Sequence, residues 1–174
     1  MPIYRKAKEA VDNLAAATGE TATLFLRENE AAIPIYIADG DAEWTAPFIL
    51  GEALPLHANA PGKCLLSLLS DEDLESVLSS SELTSFTDAT TTDSDELLAE
   101  IRRIRDDGIA FCRGEHYEGV VGVAAPISLA DDDRSTALGV IGPVSRLNGR
   151  YLEEDITGQV LSTTKSVEVD LAST

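Results

Sequence analysis

The sequence predicts an α+β fold, in which helices pack on the faces of an antiparallel sheet. Two observations support this class. Short turns join neighbouring strand-like segments, as in antiparallel hairpins, and the βαβ alternation that builds parallel sheets does not occur. The chain has 174 residues, of which 44% are hydrophobic, enough for one domain with a substantial core.

In the first part of the chain, periodicity and turn residues predict a helix followed by three strand-like segments. The helix carries its apolar residues on one face and ends at Gly19, a good C-cap. The next two segments flank a polar turn and therefore form a β-hairpin. The third is interrupted by Pro47 and Gly51. In order, these elements are residues 4–18, 21–26, 31–38 and 44–54.

A loop then runs into Pro61-Gly62 and delivers the N-terminus of a helix that reaches Leu69. Proline is tolerated there because the first helical turn contains N–H groups without partners. Such a terminus can bind a carboxylate or a phosphate. On local chemistry alone, the favoured interpretation is a structural connection with a glycine chosen for close packing.

Two more helices follow. Ser70, with an acidic residue three positions later, resembles a capping signal for the first, residues 71–78. A connection rich in Ser, Thr and Asp, residues 79–93, leads to the second. Ser94 is its predicted N-cap, and Gly108 ends it.

The last part of the chain predicts a strand, a hairpin and a final helix. The hairpin strands flank the acidic turn at residues 131–133 and end at Gly142-Pro143. The final helix begins at about Tyr151 and reaches Leu171, although its last residues favour a strand equally by propensity. The three predicted strands are residues 109–112, 119–129 and 136–141.

The charge argues against direct binding to nucleic acid. Acidic residues outnumber basic ones by 31 to 13, for a net charge of −18, whereas phosphate contacts need clustered Lys and Arg. The acid is spread along the whole chain, and lysine is scarce. This composition is typical of a protein from a salt-loving cell, where salt screens self-repulsion; an ordinary acidic protein is the alternative.

Nothing in the sequence predicts a membrane segment, a metal or a cofactor. No apolar run approaches the roughly 20 residues of a membrane helix, and no apolar signal region follows the N-terminus, so we expect a cytoplasmic protein. Cys64 and Cys112 have neither disulfide-framework nor metal-site spacing and are interpreted as small buried residues. The two histidines are His57 and His116. Each is a candidate general base or ligand, but an isolated histidine is more often a hydrogen-bonded loop residue.

Three glycine-marked segments, taken together, predict a small-ligand pocket. They are residues 60–62 (APG), 119–126 (GVVGVAAP) and 139–143 (GVIGP). Small residues on neighbouring strands leave room above a sheet, and a helix N-terminus facing that room suits a small anion. The alternative is that the small residues only allow close helix–sheet packing.

The same segments resemble the motifs of a known family. Residues 57–66 (HANAPGKCLL) look like the HATALGKALL motif of IclR-type transcriptional regulators. Residues 108–126 look like that family's GYA…EE…GVRCVAAPV, and residues 137–146 (ALGVIGPVSR) look like its ALSVSGPxxR. Order and spacing agree, and the resemblance covers residues 5–171.

This resemblance implies one effector-binding domain over residues 1–174, with a GAF-like fold of about six antiparallel strands flanked by helices. It also implies a homodimer or a tetramer. Family members carry a winged helix-turn-helix ahead of this domain, which these residues do not include. We therefore expect a truncated chain or a stand-alone sensor that reaches DNA only through a missing N-terminal domain.

The family's ligand pocket maps onto seven positions, which are Ala60, Pro61, Gly62, Cys112, Gly122, Gly139 and Ile141. Backbone N–H groups before the motif glycine would form the anion site, although Pro61 has none. Four positions depart from the family's frequent Asp, Cys, Ser and Ser; these are, respectively, Cys112, Gly122, Gly139 and Ile141. The departures predict a less polar pocket, suited to a larger or more apolar ligand such as an aromatic acid.

The sequence therefore predicts a non-enzymatic sensing domain that converts effector binding into a change of oligomer arrangement and of DNA binding. Two alternatives stay open. Cys112 near His116 would be the nucleophile of a GAF-like enzyme, although basic partners are limited to Arg113 and Lys63. Residues 79–93 and the final helix would instead mediate assembly only.

Overall fold

The structure, a computed structural model, describes residues 2–40, 43–128 and 136–173. The strands are Thr21–Glu28 (β1), Ala31–Ala38 (β2), Leu54–Pro55 (β3), Ala110–Arg113 (β4), Val120–Ile127 (β5) and Thr136–Pro143 (β6). The helices are Pro2–Thr18 (α1), Ala60–Ser67 (α2), Asp71–Ser80 (α3), Ser94–Asp107 (α4) and Thr157–Ala172 (α5). A π-helical segment, Tyr151–Ile156, precedes α5.

The six strands form one sheet in the order β3-β2-β1-β6-β5-β4, and each neighbouring pair is antiparallel. Helices α1 and α5 pack together on one face of this sheet, and α2 and α4 pack together with α3 on the other. This architecture confirms the α+β class and the six-stranded, GAF-like sheet that the resemblance implies.

The sheet separates two apolar cores because successive side chains of a strand point to opposite faces. Leu24 and Phe25, neighbours in β1, are each 1% exposed and belong to different cores. Leu24 packs in the core of α1 and α5, with Val160. Phe25 packs in the core of α2 and α4, with Leu65 and Ile101.

Strand β2 contains Pro34, a residue that a central strand does not tolerate because it cannot donate to the ladder. The β1–β2 register shifts there, so that Leu24 lies opposite Tyr36 and Phe25 opposite Pro34. The carbonyl of Pro34 accepts a hydrogen bond from Gly51 N–H at 2.9 Å. This contact holds the 43–53 loop against the sheet, and Phe48 of the loop meets Phe25 of β1 edge to face.

The predicted strand at residues 44–54 is wrong except at its end. Leu54–Pro55 pairs with β2, whereas residues 43–53 form bends and turns. Pro47 lacks an N–H for a ladder, and Gly51 adopts a left-handed conformation with φ of 82°, so the chain turns back before it can pair.

Most predicted helix ends are confirmed. Gly108 adopts the left-handed C-cap conformation after α4, with φ of 73°, and Ser70 caps α3 by accepting a hydrogen bond from Asp73 N–H. The N-cap of α4 is a correction, because the Asp93 side chain accepts the Asp95 N–H while Ser94 is already helical. The residues that favoured strand and helix equally at the end of the final helix are helical.

The two predicted hairpins are confirmed as β1–β2 and β5–β6. The predicted turn at residues 131–133 lies outside the described residues. Among the helices that are described, none is long and apolar enough to cross a membrane.

Candidate ligand pocket

A pocket lies between the N-terminus of α2 and the strands β1, β5 and β6. Its walls are mainly apolar. The residues that line it are Thr23, Phe25, Phe48, Leu54, Ala58, Asn59, Ala60, Pro61, Cys112, His116, Tyr117, Val120, Gly122, Val140 and Ile141.

Five of the seven site residues proposed from the sequence line this pocket. They are Ala60, Pro61, Cys112, Gly122 and Ile141. The geometry thus brings together positions from α2, β4, β5 and β6 that lie up to about 80 residues apart in the chain. Their contact with a ligand stays a prediction.

Gly62 and Gly139 do not line the pocket, and the reason is packing. A Cβ at Gly139 would lie 2.5 Å from the Val123 carbonyl oxygen on the neighbouring strand. A Cβ at Gly62 would lie 2.5 Å from the Leu56 carbonyl oxygen. Both distances are far below van der Waals contact, so these two glycines allow close backbone approach, which is the alternative interpretation of the glycine-marked segments.

Gly122 is different, because it lines the pocket and its backbone has room for a Cβ. A Cβ built there would lie 3.6 Å from the Val140 carbonyl oxygen and 3.7 Å from the Ala60 Cβ, which are ordinary contacts. The backbone therefore accepts a side chain at this position. Gly122 contributes to the pocket by the volume that it does not fill.

The N-terminus of α2 offers fewer free donors than the sequence suggests. The Asn59 side chain accepts a hydrogen bond from Gly62 N–H at 2.6 Å, and the Asn59 carbonyl accepts one from Lys63 N–H at 3.1 Å. The anion site was predicted at Ala60 and Pro61, and since Pro61 has no N–H, Ala60 is the one of these two positions with a backbone donor.

The two cysteines are buried, as the sequence interpretation proposes. Cys64 is fully buried, and burial raises the pKa of its thiol. Cys112 donates a hydrogen bond to the Ala58 carbonyl at 3.3 Å, and burial, followed by repulsion from Glu115, raises its pKa to about 11. A nucleophilic cysteine needs a lowered pKa, so the geometry does not support an enzyme that uses Cys112.

A buried ion cluster lies beside the pocket, centred on Lys63 of α2. The Lys63 side chain is 0% exposed and donates to Glu115 at 2.9 Å, to Glu100 at 2.8 Å and to the Phe111 carbonyl at 2.6 Å. Burial by itself lowers the pKa of Lys63, but attraction from Glu115 and Glu100 outweighs burial, and the pKa is raised. The charged cluster therefore connects α2, α4 and the loop after β4.

The two histidines have different roles. His57 Nε2 lies 2.8 Å from the Thr84 carbonyl and therefore donates its proton to that oxygen, as expected for a hydrogen-bonded loop residue. The His116 ring lies against the rings of Phe86 and Tyr117, with centroid distances of 4.5 Å and 4.0 Å. Its Nδ1 atom is buried without a hydrogen-bond partner.

Residues 79–93, predicted as a solvated connection, are anchored to the loop after β4. Thr87 Oγ1 donates to the Gly114 carbonyl at 2.6 Å, and Thr90 Oγ1 donates to the Glu115 carbonyl at 2.5 Å. These bonds hold Phe86 against His116. The connection thus braces the loop that supplies two residues of the pocket.

Sequence reasoning missed the ion cluster and the aromatic residues of the pocket. One signal for the cluster was present, since Lys63 is a rare lysine placed directly before an apolar run. A buried charge at such a position requires a partner. No comparable signal marks Phe48 or Tyr117, because their loops lack periodicity.

Within the described residues, no three or more His, Cys, Asp or Glu side chains are grouped to hold a metal ion.

Comparison with known proteins decides the family. The model described as "Bacterial transcriptional regulator IclR C-terminal" matches residues 1–169. The chain belongs to the IclR family. It corresponds to the C-terminal, effector-binding domain of these regulators.

Individual relatives agree with this assignment. A "Probable HTH-type transcriptional regulator ArcR" from Halobacterium salinarum is 27% identical over 172 residues, which are 97% of this chain and 65% of that protein. The chain thus spans less than two thirds of this relative. A transcriptional regulator from Rhodococcus sp. RHA1 has a TM-score of 0.91 and 26% identity, over 97% of this chain and 69% of that one.

A third relative is a domain of similar extent. The inducer-binding domain of the PobR transcription factor from Acinetobacter, a double mutant in complex with 3-hydroxybenzoic acid, has a TM-score of 0.86 and 24% identity. The match covers 94% of this chain and 96% of that domain. At this identity the comparison establishes the shared IclR-domain fold.

Proposed function

We propose that this IclR-type domain senses a small aromatic acid in the pocket at the start of α2. The observation that carries the proposal is an apolar pocket whose wall includes Ala60, the first residue of α2. Apolar walls suit an aromatic ring, and an N–H at the positive end of a helix suits a carboxylate. The PobR complex with 3-hydroxybenzoic acid supports this class of ligand.

The proposal includes a route from the pocket to the rest of the regulator. A ligand that touches Ala60 and Cys112 bridges α2 and β4, which the Lys63 cluster also ties to α4. A ligand shifts an equilibrium only by its different affinity for two states. In this proposal the two states are arrangements of a homodimer or tetramer in a cytoplasmic regulator. Since a domain with a net charge of −18 repels phosphates, another part of the regulator contacts DNA.

A thermal-shift screen tests ligand class directly. Benzoate and 3-hydroxybenzoate should raise the melting temperature, pyruvate should do so less, and benzamide, which keeps the ring but has no carboxylate, should have little effect. An acid at 100 times its Kd adds about 2.7 kcal/mol, which is a shift of several degrees for this size of domain.

Chromatography of the incubated ligand completes this screen. An unchanged ligand is the expected result for a sensor, whereas a product would establish an enzyme. If no acid shifts the melting temperature of the folded domain, the proposal fails, and assembly becomes the better account.

We also propose that the chain works in high salt, so its stability should increase with ionic strength. A net charge of −18 on 174 residues repels itself, and raising salt from 0.1 M to 1 M shortens the screening length from about 10 Å to about 3 Å. The melting temperature should rise by at least about 3 °C, or about 1 kcal/mol, between 0.1 M and 2 M KCl. Sucrose at equal osmolality is the control, and an unchanged melting temperature in KCl would contradict the proposal.

A further inference from the structure

His116, which lines the pocket, carries a buried ring nitrogen without a hydrogen-bond partner among the described residues. Three buried side-chain atoms lack a hydrogen-bond partner among the described residues, namely Arg27 Nε, His116 Nδ1 and Thr136 Oγ1. Of these three residues, His116 lines the pocket. An unsatisfied buried polar atom is unfavourable, so a ligand that pairs with it gains affinity.

Two other polar side chains of the lining, those of Asn59 and Cys112, are already engaged. The Asn59 side chain accepts from Gly62 N–H and donates to the Pro55 carbonyl, and the Cys112 thiol donates to the Ala58 carbonyl. His116 Nδ1 therefore retains hydrogen-bonding capacity that these two side chains have lost.

The surroundings of His116 favour a neutral ring. Burial lowers its pKa, and the nearby His57 lowers it further, while Glu52 opposes both. The other titratable neighbours are Tyr117, whose ring contacts His116, and Glu115, whose carboxylate is paired with Lys63. A neutral imidazole offers one nitrogen as an acceptor, which matches a hydroxyl donor rather than a carboxylate.

We propose that His116 selects the effector by accepting a hydrogen bond at Nδ1 from a hydroxyl on its aromatic ring. The effector class is then a hydroxylated aromatic acid whose carboxylate faces the Ala60 N–H and whose hydroxyl faces His116. This inference rests on the proposed function, because it assigns a second polar contact within the same pocket. Phe86 and Tyr117 hold the imidazole in place and position it for this bond.

Calorimetric titration with matched ligands tests the assignment. At pH 8 the wild-type domain should bind 3-hydroxybenzoate or 4-hydroxybenzoate about tenfold more tightly than benzoate, the usual effect of one hydrogen bond. His116→Phe should lose this preference and leave benzoate affinity within about twofold. Tyr36→Phe, which removes a hydroxyl that bonds Asp12 away from the pocket, is the control and should keep the preference.

The pH dependence supplies a test that needs no variant. Protonation occupies Nδ1 and removes its acceptor function, so the preference for the hydroxylated acid should shrink as the pH is lowered through the pKa of His116, which burial holds below its ordinary value. If affinity for benzoate and hydroxybenzoate instead rises equally as the pH falls, His116 binds the carboxylate as an imidazolium, and the hydroxyl role is overturned.

The outcomes separate this inference from the function on which it rests. Binding of benzoate with no hydroxyl preference, or a preference that survives in His116→Phe, overturns the role of His116 alone. Failure of every acid to bind the folded wild type overturns the proposed function and this inference together.

Discussion

Lys63→Met is expected to lower the free energy of unfolding by about 3–5 kcal/mol, the cost of removing one partner from a buried ion pair. Lys63 is fully buried and donates to two carboxylates and one carbonyl. Methionine has a side chain of similar length but leaves Glu115, itself 9% exposed, without its cation. Urea unfolding at fixed salt measures the loss.

Lys165→Met is the matched control for this variant, because Lys165 is an exposed residue of α5. Its effect should stay within about 0.5 kcal/mol. Adding Glu115→Gln to Lys63→Met should recover part of the stability, since the unpaired buried charge is then removed. Equal losses in Lys63→Met and Lys165→Met would show that the cluster does not stabilise the fold.

Gly122→Leu is expected to weaken binding of the aromatic acid by at least about 100-fold, or about 2.7 kcal/mol. The backbone at Gly122 accepts a Cβ, as its contacts of 3.6 Å and 3.7 Å show, so the domain should still fold. The remaining atoms of leucine then occupy part of the pocket that Gly122 lines and compete with the ligand for it. Calorimetric titration measures the affinity, and the melting temperature monitors folding.

Gly122→Ala is the control for this steric effect, because a single methyl group fits the observed contacts. It should change the affinity by less than about threefold. Undiminished binding in a folded Gly122→Leu variant would place the ligand elsewhere in the domain.

The sequence correctly predicted the elements whose conformation depends on interactions between residues close together in the chain. The β1–β2 hairpin, the left-handed Gly108 after α4 and the Ser70 cap of α3 each follow from a few neighbouring residues. The 43–53 loop was predicted as a strand because its apolar residues resemble one, and its turns depend on contacts with Pro34 across the chain. A long-range contact of this kind leaves no local pattern.

The pocket, too, was predicted from the sequence only in part. The family resemblance, together with the glycine-marked segments, identified Gly122 as a pocket residue. They did not separate it from Gly139, since only the neighbouring strand shows that a Cβ at Gly139 has no room. The Lys63 cluster joins residues 37 and 52 positions apart, and such pairings depend on how the helices cross the sheet.

A crystal structure of the domain soaked with 3-hydroxybenzoate would show directly whether the acid binds in the pocket at the start of α2. We expect the acid in the pocket, with its carboxylate within about 3 Å of the Ala60 N–H and its ring against Gly122 and Ile141. Density for the acid at another surface, or an empty pocket in crystals whose domain binds the acid in solution, would contradict it.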